Sequence, residues 1–235
     1  MRLICAATER EMDACLLSAG VRFRDLPPGT DFPWARMRGG ILFAVTGVGI
    51  PMTLARLIPL AARIRPEWIL NTGIAGAYPG SGLSIGDLVA GESEVFGDLG
   101  METPGPEAFL PLATFPWADE EYRLPMPLAL DPLGLGAGTA ATGGFGGLHI
   151  ARGCTVNACT GREETGARRR SLFGAGFETM EGAAAALAGR ESGIPVSEVR
   201  AISNIASTRD FRQTDAETAM GNLGVYMGRW LGGNA

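Results

Sequence analysis

Apolar residues along this chain fall into short runs, separated by stretches in which they recur every third or fourth position. The runs at 3–7, 41–46, 68–72, 85–91, 151–157 and 196–202 read as strands, the first and last of them buried. The intervening patterns are helical. Thr8 can cap a helix that carries Met12, Cys15 and Leu16, and Pro51 fits the first turn of a helix running to about Ile64. A charged helix begins near Arg162, and an Ala-rich one ends near Glu191. The last helix starts at Thr214-Asp215-Ala216-Glu217, a capping-box spacing, and puts Ala219, Leu223, Met227 and Trp230 on one face, as expected of a helix that covers a sheet. Strands alternating with helices predict an α/β fold: a single domain over residues 1–235, with a central twisted mixed β-sheet flanked by helices. Residues 97–147 break the pattern. Proline and glycine crowd there and periodicity fades, which predicts irregular structure within that domain rather than a second one. Phe109, Phe115, Trp117 and Phe145 either line an apolar pocket or anchor this segment to the core.

Composition narrows the class. With 46% hydrophobic and 19% charged residues over 235 positions, the chain can bury a sizeable core. A net charge of −5 leaves no broad basic surface, so nucleic acid is not an expected partner, and Arg168-Arg169-Arg170 reads as a solvated helix face. No charged leader precedes an apolar span long enough to insert, so no membrane partner is expected. Cys5, Cys15, Cys154 and Cys159 show no C-x-x-C spacing, and His149 is the sole histidine. The expectation is a reduced, cytoplasmic protein without a metal or other cofactor, and without a Ser-His-Asp triad.

Candidate chemistry sits where strands end. In open α/β sheets the ligand binds outside the carboxyl ends of the strands. The stretch Arg200-Ala-Ile-Ser-Asn204 turns polar at such an end, and Asn204 can donate and accept at once, as a flat heterocycle with a carbonyl and a ring nitrogen requires. Ser and Asn also terminate strands for local reasons, and that reading stays open. Gly47-Val48-Gly49 is a strand-to-helix turn that brings backbone close to a ligand, but Met52 occupies the last glycine position of a dinucleotide fingerprint. Glu9 and Glu11 either complement a helix dipole or place one carboxylate in the crevice as a general base. Glu181 enters an Ala-rich helix and needs a partner if buried.

Five separated pieces carry a resemblance. Thr8 to Glu11, Thr46-Gly-Val-Gly49, Asn71-Thr-Gly-Ile-Ala-Gly76, Ile85-Gly-Asp-Leu-Val89, and Thr179-Met-Glu-Gly182 with Arg200 to Asn204 together resemble the nucleosidase and nucleoside phosphorylase family of purine-releasing enzymes, in the family's order. The Met-Glu-Gly-Ala-Ala run, the Arg-Ala-Ile-Ser-Asn run and Arg209-Asp210 are most similar to its futalosine hydrolase branch, which removes hypoxanthine from futalosine in menaquinone biosynthesis. The resemblance implies a nucleoside phosphorylase-like fold, a purine nucleoside as the small-molecule partner, no cofactor, and a homodimer or higher homo-oligomer. It implies that Glu11 activates water, that Glu181 accepts the ribose hydroxyls with Met180 packed on the sugar, and that Ser203 and Asn204 meet the N7 edge of the base. It implies that Arg200 orients Glu11, as an ion pair, and adds Thr46, Val48, Gly76, Thr160, Arg209 and Asp210 as substrate contacts.

Two departures bear on specificity. Adenine-releasing relatives carry Asp where this chain has Asn204, whose amide can donate to both N7 and a 6-carbonyl, which favours a 6-oxopurine. Ile74 stands where those relatives place a serine near the water. A phosphorylase also needs cations and hydroxyl or backbone donors for a dianion, and the glycine turns supply backbone but no nearby cation, and no hydroxyl besides Thr46 and Thr72. Water is therefore the expected nucleophile. Another purine nucleosidase or phosphorylase, and a silent purine-binding protein, are the alternatives.

Overall fold

A computed structural model of the chain describes residues 1–104, 109–115, 124–131, 148–208 and 212–232. The elements, in order, are β1 (Arg2–Ala6), α1 (Glu9–Cys15), β2 (Ala35–Arg38), β3 (Ile41–Val45), α2 (Ile50–Ile64), β4 (Trp68–Ala77), β5 (Leu88–Phe96), β6 (Gly100–Glu102), β7 (Phe109–Pro111), β8 (Leu128–Ala129), β9 (Leu148–Thr155), α3 (Glu163–Phe173), β10 (Phe177–Thr179), α4 (Gly182–Ser192), β11 (Val196–Ile205) and α5 (Gln213–Gly232). Among the described residues one mixed sheet runs β10-β9-β5-β11-β4-β1-β3-β2, with β8 beside β5 and a small β6-β7 pair apart.

Alternation along β1 shows how the layers form. Leu3 and Cys5 point into a cluster with Leu57 and Leu60 of α2 and Ala183 and Ala186 of α4. Ile4 and Ala6 point the other way, onto Met12 of α1 and Leu223, Met227 and Trp230 of α5. Successive strand residues face opposite sides, so an apolar run without gaps is what a strand covered on both faces requires. Each such leucine or isoleucine contributes about 1.5–3 kcal/mol by leaving water. The apolar face expected of the last helix is this one, and it packs on α1 and on β11.

Several boundaries differ from those expected. The strand expected at 68–72 continues to Ala77, since Gly73 to Ala77 pair with β11 on one side and Gly76 and Ala77 with β10 on the other. Pairing with neighbours overrides the weak strand preference of glycine and alanine. The strand at 196–202 likewise runs on to Ile205, past a register shift between Ile202 and Asn204. The run at 85–91 enters the sheet only at Leu88 and extends to Phe96. Thr214 lies inside α5, where its carbonyl receives the Thr218 hydroxyl, so the capping box read there does not form. In the segment at 97–147, Phe109 packs against a satellite cluster beneath α3, while Trp117, Phe145 and residues 134–147 fall outside the described residues. β10 pairs with both β9 and β4. That double pairing curls one half of the sheet on itself and brings Thr179 to Glu181 beside Gly76 and Asn204.

Candidate active site

The site lies where strand ends meet helix beginnings. Thr8 caps α1 by accepting the Glu11 N–H at 3.2 Å, and Glu11 Oε2 in turn accepts the Thr8 N–H at 3.0 Å and its hydroxyl at 2.8 Å. The other oxygen, Oε1, accepts the Ile74 N–H at 3.1 Å. Gly73 lies against that oxygen with φ +149°, and a Cβ there would run into the Glu11 carboxylate. Only glycine fits both the backbone and the space. Glu9 points elsewhere and pairs with Arg24 at 3.1 Å on the surface.

Glu181 comes from a distant part of the chain, as the N-cap residue of α4. Its Oε1 accepts the Gly49 N–H, at the head of α2, at 2.9 Å, and its Oε2 lies 3.4 Å from Arg200 Nη1. The glycine turn at 47–49 was expected to approach a ligand; its free N–H is taken by this side chain, at the positive end of α2. Burial pushes the Glu181 carboxyl above the usual carboxylate range, with Arg200 and the Gly49 N–H opposing that rise in part.

Arg200 departs from the expectation. It is fully buried, and its Nε donates to Glu198 Oε1 at 2.8 Å. Nε and Nη1 are taken by Glu198 and Glu181 while Nη2 is buried with no partner among the described residues, so the expected ion pair with Glu11 does not form, and the side chain lies behind the cavity wall, closed to substrate. Thr46 is corrected in the same way: its hydroxyl satisfies the Ala6 and Gly47 carbonyls at the end of β3 and does not reach the cavity.

Glu11, Glu181 and Asn204 face one cavity of about 320 Å³, a volume within the range of small-ligand sites. Val48, Gly76, Thr160, Met180 and Ser203 line it as well, and the side chain of Ile74 takes part of its wall. Arg209 and Asp210 lie outside the described residues. The Ser203 hydroxyl is 2.9 Å from Asn204 Oδ1 and 3.2 Å from the Ala75 carbonyl. When the Ser203 hydroxyl donates to Oδ1, both Nδ2 hydrogens are left without an acceptor among the described residues.

Glu178 joins the site although no motif in the sequence marks it. It lines the cavity, and its carboxylate accepts the Thr160 N–H at 2.8 Å, the Thr160 hydroxyl, the Tyr78 hydroxyl at 2.9 Å and Arg169 Nη1 at 3.0 Å. The available signal was a glutamate between Phe177 and Thr179 in an otherwise buried strand. Ala216 and Met220 of α5 complete the cavity wall, a contact no local pattern announces. Among the described residues no His, Cys, Asp and Glu cluster is arranged to hold a metal ion, and no helix is long and apolar enough to cross a membrane.

Such an arrangement can activate a water at Glu11, accept hydroxyls at Glu181 and donate to a heterocycle from Asn204. Residues 4–225 match the phosphorylase superfamily. The chain is 35% identical over 210 residues to a futalosine hydrolase of Thermus thermophilus, covering 89% of each. It is 31% identical over 182 residues to a futalosine hydrolase of Acidothermus cellulolyticus, covering 76% of this chain and 70% of that one. Among solved structures, the 5′-methylthioadenosine/S-adenosylhomocysteine nucleosidase of Helicobacter pylori superposes with a TM-score of 0.74 at 19% identity, covering 99% of this chain and 96% of the other, and this likeness carries the fold alone. By sequence across nearly its whole length, and by a fold that this neighbour shares, the chain belongs to the phosphorylase superfamily.

Proposed function

We propose that this chain, as one nucleosidase-like domain, hydrolyses the N-glycosidic bond of futalosine, releasing hypoxanthine and dehypoxanthine futalosine in menaquinone biosynthesis. The observation that carries the reading is the convergence of Glu11, Glu181 and Asn204 on one cavity in a chain 35% identical to a relative of that activity. Glu11 takes a proton from water, whose oxygen forms the new bond to the ribose C1′ as the bond from C1′ to N9 breaks. The electron pair leaves with the purine, which Asn204 stabilises by donating toward N7 and the 6-carbonyl, and which takes its proton from solvent. Glu181 accepts the ribose hydroxyls, and these charge-assisted bonds strengthen as the sugar gains positive charge.

Water is favoured over phosphate as nucleophile because the cations at and behind the cavity wall are each paired with a carboxylate, Arg10 with Glu217, Arg169 with Glu178 and Arg200 with Glu198 and Glu181, while Glu11 would repel a dianion. The same reading has the enzyme working in the cytoplasm as a homodimer without a cofactor; the exposed Val48 and Met52 near the cavity rim offer apolar surface for a second copy. Incubating purified chain with futalosine, inosine and methylthioadenosine, with and without phosphate, tests the assignment. Hypoxanthine released from futalosine alone, independent of phosphate, is the expected product. Preferential cleavage of inosine or methylthioadenosine would move the activity to another purine nucleosidase, and silence on all three would leave a binding protein.

A further inference from the structure

Behind the cavity wall, carboxyl groups outnumber their cation. Glu94 on β5 and Glu198 on β11 are fully buried, and their side chains converge under the first residue of α4, where a Cβ on Gly182 would collide with Glu94 Oε1 and lie 2.6 Å from Glu198 Oε1. Glu198 Oε1 is well served, accepting Arg200 Nε at 2.8 Å and Asn71 Nδ2 at 3.4 Å. Its Oε2 is buried with no donor among the described residues, and the Glu94 carboxyl lies beside this side chain under Gly182. Glu94 receives the Thr155 hydroxyl at 2.8 Å and, more weakly, the Thr179 hydroxyl at 3.4 Å, but no cation among the described residues. The other titratable groups around the pair are Arg200, Glu181 at the head of α4, Glu11 on α1, and the Cys5 and Cys154 thiols, which burial pushes up to about 12 and leaves neutral. A single guanidinium does not balance Glu94 and Glu198, both fully buried, together with Glu11 and Glu181 at the cavity wall, if all four are ionised.

We propose that Glu94 is a protonated acid that donates to Glu198 Oε2, and that this acid–carboxylate pair is the device that positions Arg200 and, through it, the Glu181 side chain in the cavity. The geometry assigns the proton to Glu94: ionised Glu198 is what Arg200 Nε and the Asn71 amide require, and a donor on Glu94 is what the remaining oxygen of Glu198 requires. Burial, with the neighbouring charge of Glu198, holds the Glu94 carboxyl well above the usual carboxylate range, in keeping with that assignment. Arg200 responds to the same charges: burial alone would weaken its hold on the proton, but Glu198, Glu181 and Glu11 outweigh that effect. Both residues act on the chemistry through Arg200 and touch no substrate, so they are positioning residues.

The role of Glu198 and Glu94 in turnover rests on the function proposed above, whereas the proton on Glu94 does not. A glutamine at 94 mimics the protonated acid, since its amide donates to Glu198, while a glutamine at 198 removes the charge that fixes Arg200. Glu94→Gln should therefore stay within about threefold of wild-type kcat, whereas Glu94→Leu and Glu198→Gln should lose about tenfold or more in kcat, with KM changing less. Equal losses in Glu94→Gln and Glu198→Gln, or none in either, would overturn the assignment. Independently of any substrate, the infrared spectrum of the wild-type protein at neutral pH should contain the C=O stretch of a protonated carboxylic acid that is missing from Glu94→Gln. No such difference would overturn the proposal even if futalosine is hydrolysed. A failure to hydrolyse futalosine with the band present would count against the function and leave the shared proton standing.

Discussion

Glu11 divides its carboxylate between two duties. One oxygen closes the capping box with Thr8, and the other accepts from Ile74 at the cavity. In the sequence these were competing explanations of one residue; the side chain is long enough to satisfy both. Because glutamine also completes a capping box, Glu11→Gln should fold normally and retain hypoxanthine affinity while turnover falls on the order of 100-fold. Near wild-type turnover in that variant would remove Glu11 from the chemistry. Asn204 offers a sharper residue-level test. Its Nδ2 hydrogens suit N7 and a 6-carbonyl, whereas a 6-amino group would leave one donor unsatisfied, at roughly 1–3 kcal/mol, or tenfold and more. Asn204→Asp should lose activity on futalosine and gain relative activity on its 6-amino analogue, more so at mildly acid pH where the new carboxyl is protonated. An unchanged ratio of specificity constants would show that Asn204 does not read the base.

Elements were legible where period and caps agree, and less so where packing decides. The helix at 50–64 and the capped helix after Thr8 follow from Pro51, Thr8 and their apolar spacing. The outer halves of β4 and β11 did not read as strand, because Gly73-Ile-Ala-Gly76 and Ser203-Asn204 look like turn sequences; their partner strands hold them extended. Glu94, Glu198 and Glu178 hid for a related reason. A lone glutamate in a strand pattern reads as an exposed face, and only the fold reveals the Arg200, Asn71 and Arg169 side chains that bury with them. The junction of β4 with α1 can be probed directly. Gly73→Ala combines a left-handed backbone with a side chain aimed at Glu11, and should destabilise by about 1–3 kcal/mol in urea unfolding. It should also lower kcat more than KM, by displacing the carboxylate. A stable, fully active variant would mean that Glu11 does not depend on this contact.

At the scale of the whole molecule, a sheet that curls through β10 gathers residues from α1, β4, β10, α4 and β11 around one cavity, a closure that no single stretch of sequence encodes. The same closure buries carboxyls, and this gives the fold a pH dependence. Burial raises Glu94 and Glu181 above their ordinary value of 4.5, so the folded chain holds protons that the unfolded chain releases. Their contribution is complete below that value and is lost as pH rises through the folded-state values. The melting temperature should therefore fall as pH is raised from about 5 to 8, and Glu94→Gln should flatten that slope; parallel slopes would remove Glu94 as a source. In the proposed reaction water, activated at Glu11, cleaves the nucleoside. Running purified chain on futalosine in ¹⁸O-labelled water, with phosphate present, and weighing the products tests it most directly. Hypoxanthine together with dehypoxanthine futalosine carrying one ¹⁸O at C1′ is the predicted result. A sugar 1-phosphate without the label, or no hypoxanthine at all, would contradict it.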